Sequence, residues 1–185
     1  MSTFEEKVAR VCRILDACDT LYVVIGGVAL SLWGDPRFTY DLDFLVFLPD
    51  EASVQKLLDR AGPEGVVFEK DEVLKTFKTH QGFVGESDGL HLDFLVAGTA
   101  YEAELFKRRR VVSYHGTNLP LPSPEDLILL KIMAGREKDM MDVKSIALRQ
   151  GDNLDRGYLE KWVDEFQSKR PDKPFRERLK KTFEG

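Results

Sequence analysis

Asp41-Leu42-Asp43 follows the string Ile25-Gly26-Gly27 after a short loop, and a third carboxylate, Asp93, recurs downstream inside a second copy of the pentapeptide Leu-Asp-Phe-Leu-Val. Strand residues two apart point to the same face, so Asp41 and Asp43 project together while Leu42 and Phe44 enter the core. Asp93, between Leu92 and Phe94, projects in the same way. Three like charges on one patch of sheet repel one another unless cations sit among them. A pair of hard divalent ions with oxygen ligands meets that need, magnesium first and manganese as the alternative. The glycines add a second signal. Gly26-Gly27 opens a helix, so backbone N–H groups and the helix dipole point at the turn. With no side chain there, a phosphate can approach the main chain closely. The pattern supports metal-assisted phosphoryl or nucleotidyl transfer.

The elements that must hold these residues follow from period and punctuation. Residues 3–18 read as an amphipathic helix with Val8, Val11, Cys12 and Leu15 on one face, opened by Ser2 and Glu5 as a capping box. Leu21 to Ile25 is a buried strand, Gly26-Gly27 a turn, and Val28 to Trp33 a short helix stopped by Gly34-Asp35-Pro36. Asp41 to Leu48 alternates as a strand, and Pro49-Asp50 opens a helix that runs to about Arg60. A turn at 62–65 leads to a strand over Val66 to Glu69. The segment 72–88 reads as a short helix or irregular stretch followed by a strand near 78–84. Gly89 to Val96 is a further strand, and a helix near 100–106 precedes a hairpin turning at Gly116-Thr117-Asn118.

Pro120, Pro122 and Pro124 read as a linker that separates a mixed α/β core, 1–121, from a helical region, 122–185, expected to close over a nucleotide cleft. Ser123 caps the first helix of that region, with Asp126 at its third position. Helices are expected over 124–135, 137–149 and 155–168, with a weaker one in the basic tail. The fold class is α/β: a mixed sheet flanked by helices, with a C-terminal helical part.

The chain has 185 residues, 43% hydrophobic and 32% charged, with a net charge of −5. That acidity excludes a protein that coats nucleic acid non-specifically. Lys107 to Arg110 and the tail from Lys169 to Lys181 are local basic stretches, read as solvated surface or as a landing strip for a phosphate-rich acceptor. Cys12 and Cys18 share one predicted helix and lack disulfide or zinc-pair spacing. With no signal peptide and no apolar run long enough for a bilayer, a cytoplasmic location without membrane association is expected.

Lys131 stands alone in an otherwise apolar run from Leu127 to Met133. A helix apolar all round is buried, and an unpaired ammonium inside it is costly. It must reach an anion, either a carboxylate or a phosphate, unless it snorkels out at the domain boundary. Arg37 and Thr39 precede Asp41, placed to contact phosphate or to order the loop, with a structural salt bridge the rival for Arg37. His80, His91 and His115 lack metal-ligand spacing, and His91 shares a strand face with Asp93. Trp33, Phe38 and Tyr40 are expected to pack, with stacking on a base the minority reading. Walker loops, zinc signatures and serine-nucleophile elbows are missing.

The order Ile25-Gly26-Gly27, Asp41-Leu42-Asp43-Phe44, Leu92-Asp93-Phe94 resembles the nucleotidyltransferase superfamily related to DNA polymerase β. The fuller string, Gly26 to Leu30 and then Arg37 to Phe44, is similar to the AbiEii-like branch, whose known toxins are generally longer. The resemblance covers about 20–97 and extends more loosely to 149. It implies an enzyme moving a nucleoside monophosphate from an NTP to a hydroxyl of an RNA end, a protein or a small molecule. In it Asp41 and Asp43 hold two magnesium ions. Asp93 shares one and activates the acceptor hydroxyl, by metal coordination or as a base. Gly26 and Gly27 donate N–H groups to the β and γ phosphates. The resemblance also implies a nucleotide-binding set in the helical region, here Lys131, Arg136, Asp139 and Asp142. Asp139 and Asp142, three apart on one helical face, either pair with Arg136 or help position the nucleotide. The rival is a non-catalytic nucleotide- or partner-binding module of a toxin–antitoxin type, with a cognate antitoxin as partner. Retention of all three acids favours catalysis.

Overall fold

The computed structural model describes residues 2–79 and 82–184. They form two compact units: Met1–Val28 with Phe38–Leu121, and Ala29–Arg37 with Pro122–Gly185. The chain is a mixed α/β fold.

In the first unit, α1 (Phe4–Ala17) leads to β1 (Leu21–Val24), and the helix α2 (Gly26–Trp33) begins at once. Then come β2 (Asp41–Phe47), α3 (Glu51–Ala61), β3 (Val66–Phe68), α4 (Lys70–Lys78), β4 (Phe83–Ser87) and β5 (Leu90–Val96). The unit closes with α5 (Ala100–Arg108) and the hairpin strands β6 (Arg110–Tyr114) and β7 (Thr117–Leu121). The main sheet has the order β1-β2-β5-β4-β3. Among the described residues only the β2–β5 pairing is parallel in it, and its register sets Asp43 opposite Asp93 and Asp41 opposite His91.

Four phenylalanines hold that register. Phe44 of β2 stacks on Phe94 of β5 at 5.0 Å, Phe94 stacks on Phe83 of β4 at 4.9 Å, and Phe68 of β3 meets Phe94 edge-on at 5.5 Å. Such contacts exceed simple area burial in stabilising effect. A slip of one residue would turn the rings outward and bury three carboxylates, so ring stack and acid placement are one constraint.

In the second unit, α6 (Pro124–Ala134), α7 (Glu137–Gln150), α8 (Arg156–Lys169) and α9 (Phe175–Phe183) pack around Leu127, Ile128, Ile132, Val143, Ile146, Leu159 and Val163. Residues 29–37 join these helices through side-chain bonds. Trp33 Nε1 donates to the Pro122 carbonyl at 2.9 Å, Gln150 Nε2 to the Trp33 carbonyl at 2.8 Å, and an Arg149 nitrogen to the Gly34 carbonyl. Ser123 caps α6, its Oγ accepting from the Asp126 N–H at 3.1 Å. Among the described residues, no helix is long and apolar enough to cross a membrane.

Several expectations need correction. The capping box of α1 is Thr3 with Glu6, one residue beyond Ser2 and Glu5, because Thr3 is the hydroxyl residue next to the first helical turn. The helix after β1 starts at Gly26 rather than Val28. Pro120 belongs to β7 in a two-stranded sheet, where a missing N–H is tolerated, so the linker is shorter than three spaced prolines suggest. The ambiguous stretch resolves as helix to Lys78 with the strand starting at Phe83. His80 lies outside the described residues.

Candidate active site

Asp41 and Asp43 sit at the N-terminal end of β2, alternating with the fully buried Leu42 and Phe44, and Asp93 alternates with Leu92 and Phe94 on β5. The parallel register brings the three together. One carboxylate oxygen from each lies within 4.8 Å of the others, all three residues half-buried. Three charges that close destabilise the patch unless cations compensate them.

Two neighbours stand against the carboxylates. Thr39 Oγ1 donates to Asp41 Oδ1 at 2.5 Å, and His91 Nε2 lies 3.3 Å from Asp93 Oδ1. The glycines close on the same place. Gly26 has φ +62, and a Cβ added there would overlap the Asp43 carboxylate. A Cβ at Gly27 would come within 2.7 Å of Thr39 Cβ and Oγ1. Both positions exclude side chains, for left-handed backbone at the first and for close approach at both. The set of hard oxygen donors, three carboxylates side by side with no softer ligand among them, suits divalent magnesium or manganese.

Arg37, Lys131, Arg136, Asp139 and Asp142 form one charged network in the second unit. Lys131, 5% exposed on α6, places Nζ 2.5 Å from Asp142 Oδ2 and 3.8 Å from Asp139 Oδ1. Its buried ammonium is therefore answered by carboxylates, one of the anions expected for it, and does not snorkel. Arg37 reaches both Asp142 oxygens at 3.2 Å, and Arg136 grips Asp139 with Nε at 2.6 Å. Burial alone would push the Asp139 carboxyl up. The Arg136 hydrogen bonds and the charges of Arg136 and Lys131 outweigh it and hold the group below its ordinary range.

This has a consequence for acid stability. A depressed folded-state pKa contributes stability that is complete above the unfolded value, about 3.9 for Asp, and is lost as pH falls through the lower folded value. Asp139→Asn is expected to flatten that acid limb in urea-melt stability measured against pH, and to lower stability at neutral pH.

Phe38 and Tyr40 overturn the packing expectation. They are 78% and 82% exposed and meet edge-to-face, ring centroids 4.8 Å apart. Thr39 between them turns toward Asp41 and Gly27. Trp33, by contrast, is partly buried with its indole N–H bonded. Two surface grooves of about 370 Å³ lie elsewhere, one lined by α8 and α9 and one by α5 with the ends of β1 and β2; neither includes an acid of the triad.

The family model described as "Nucleotidyltransferase of unknown function (DUF6036)" matches residues 2–183. No curated protein matches the chain at a significant level. Among solved structures, the chain is similar to ANT(2")-Ia in complex with adenylyl-2"-tobramycin, at 17% identity and a TM-score of 0.60, over 88% of this chain and 96% of that one. It is also similar to the lincosamide antibiotic adenylyltransferase LnuA, lincomycin-bound, at 14% identity and a TM-score of 0.55, over 79% and 98% of the two chains. Identities this low establish a shared fold and leave the chemistry to the residues.

Proposed function

The chain belongs to this nucleotidyltransferase family, and from that premise we propose that it moves a nucleoside monophosphate from an NTP to a hydroxyl acceptor with release of pyrophosphate. The observation that carries the reading is the convergence of Asp41, Asp43 and Asp93 beside a helix that opens on two glycines.

Asp41, Asp43 and Asp93 would hold two magnesium ions, which when bound offset phosphate charge and favour the acceptor alkoxide. The backbone N–H groups of Gly26 and Gly27, at the positive end of α2, bind the β and γ phosphates. Thr39 fixes the Asp41 carboxylate by its hydroxyl hydrogen bond, and His91 Nε2 lies beside the carboxylate of Asp93. Asp93 takes the acceptor proton as the oxygen bonds to the α phosphorus. The bond from that phosphorus to the bridging oxygen breaks, and pyrophosphate carries the electron pair away. In the second unit, Arg37 and Arg136 keep side-chain exposures of 38% and 64%, guanidinium groups of the kind that bind phosphate. Asp142 holds Arg37 and Asp139 holds Arg136, and Lys131 pairs with both carboxylates.

We assign a small-molecule hydroxyl as acceptor. The support is that ANT(2")-Ia and LnuA, seen with antibiotics, share this fold across most of their length. The test is label transfer: protein, magnesium and each α-labelled NTP, offered separately an RNA pool, a protein pool and a metabolite extract. Label in the metabolite fraction, lost in Asp41→Asn/Asp43→Asn, is the expected result. Label in RNA or protein would keep the reaction and overturn the acceptor class, and RNA would favour the AbiEii-like branch with its antitoxin partner. No label in any pool, with no magnesium-dependent NTP binding, would overturn the reaction itself.

Gly26→Ala tests the glycine turn. The new Cβ strains a left-handed backbone and displaces Asp43. Since a 1 Å misplacement can cost about a hundredfold, transfer is expected to fall by roughly that factor. Manganese titration of the variant should show weakened ion binding in parallel.

A further inference from the structure

Two large aromatic side chains left in water beside a candidate active site need a reason. Phe38 and Tyr40 are both mostly exposed, and their rings meet at 63° in an edge-to-face pair. Between them, Thr39 is turned the other way. Its hydroxyl donates to Asp41 Oδ1, and its Cβ and Oγ1 occupy the space a side chain at Gly27 would need. The aromatic pair is therefore anchored, through one residue, to the first acid of the triad and to the second glycine of the cradle.

We propose that Phe38 and Tyr40 form a platform on which the base of the bound nucleoside triphosphate stacks. The inference rests on the nucleotidyl-transfer reading above and goes beyond it by naming the base site. The base rather than the acceptor is the occupant because of where the anchor lies. Gly27 is the second residue of α2, the helix that follows β1 and whose N-terminus is proposed to bind the phosphates, and Asp41 stands on β2. Asp93, the acid assigned to the acceptor hydroxyl, is on β5, the strand beyond. The ring pair thus belongs to the triphosphate side of the triad. An aromatic face stacks on any base, because every base has a π-face, so the platform confers affinity without base preference.

Equilibrium binding to acceptor-free protein in magnesium separates the possibilities, with the four NTPs and inorganic tripolyphosphate as probes. Phe38→Ala/Tyr40→Ala is expected to weaken all four NTPs by about tenfold or more, while tripolyphosphate binds as to the wild type. Phe38→Tyr/Tyr40→Phe, which keeps both rings, should bind NTPs normally. Unchanged NTP affinity in the alanine variant would overturn the platform, as would an equal loss for tripolyphosphate, which would reveal a displaced loop. Wild-type protein that binds neither probe would overturn the nucleotidyl-transfer reading along with the platform, an outcome distinct from the other two because they leave wild-type binding intact.

Discussion

Asp43→Asn is expected to lower nucleotidyl transfer by roughly a thousandfold or more while the melting temperature holds or rises. The two readouts diverge for one physical reason. The carboxylates of Asp41, Asp43 and Asp93 offer oxygens within 4.8 Å of one another, so removing one charge relieves repulsion in the ion-free protein. Asparagine keeps the shape, and the packing on this strand is done by Leu42 and Phe44. A rate that collapses in a protein that melts no earlier marks a carboxylate kept for chemistry at a cost in stability. A rate that survives would remove Asp43 from the mechanism. Activity assays and calorimetry on the same preparation give both numbers.

Lys131→Met is expected to cost about 3 kcal/mol of stability. Methionine fills the volume but leaves Asp142 and Asp139 buried with one cation fewer. Arg37 still reaches Asp142 and Arg136 still grips Asp139, which keeps the loss at the lower end of what breaking a buried pair produces. Adding Asp142→Asn should recover part of the loss, because the stranded charge goes with it. Denaturant melts of the single and double variants measure the coupling. A Lys131→Met protein as stable as the wild type would mean that the ammonium was never needed to hold the network.

The acids are readable in the sequence because a strand has period two, and Asp41-Leu42-Asp43-Phe44 with Leu92-Asp93-Phe94 forces carboxylates out when the apolar residues go in. The parallel neighbourship of β2 and β5 was not encoded in either strand, yet the shared pentapeptide hinted at it. Phe38 and Tyr40 depart from the packing expectation because residue type predicts burial only where an element offers a core face, and both stand in the loop between α2 and β2. The grouping of residues 29–37 with the C-terminal helices rests on bonds such as Trp33 to Pro122 and Arg149 to Gly34. Contacts that distant in sequence leave no local pattern. The lone lysine of α6 announced that an anion must be near, but which carboxylate met it depended on how α7 turns Asp142 inward.

The most direct test of the central claim follows the fate of two labels. Wild-type protein, magnesium and the active acceptor pool are given α-labelled NTP in one reaction and γ-labelled NTP in another. Nucleotidyl transfer predicts that the product carries only the α label, that the γ label appears in pyrophosphate, and that both signals vanish on chelation and in Asp43→Asn. A product carrying the γ label, or release of γ label as orthophosphate alone, would contradict the account, since either result would place the attack on the wrong phosphorus.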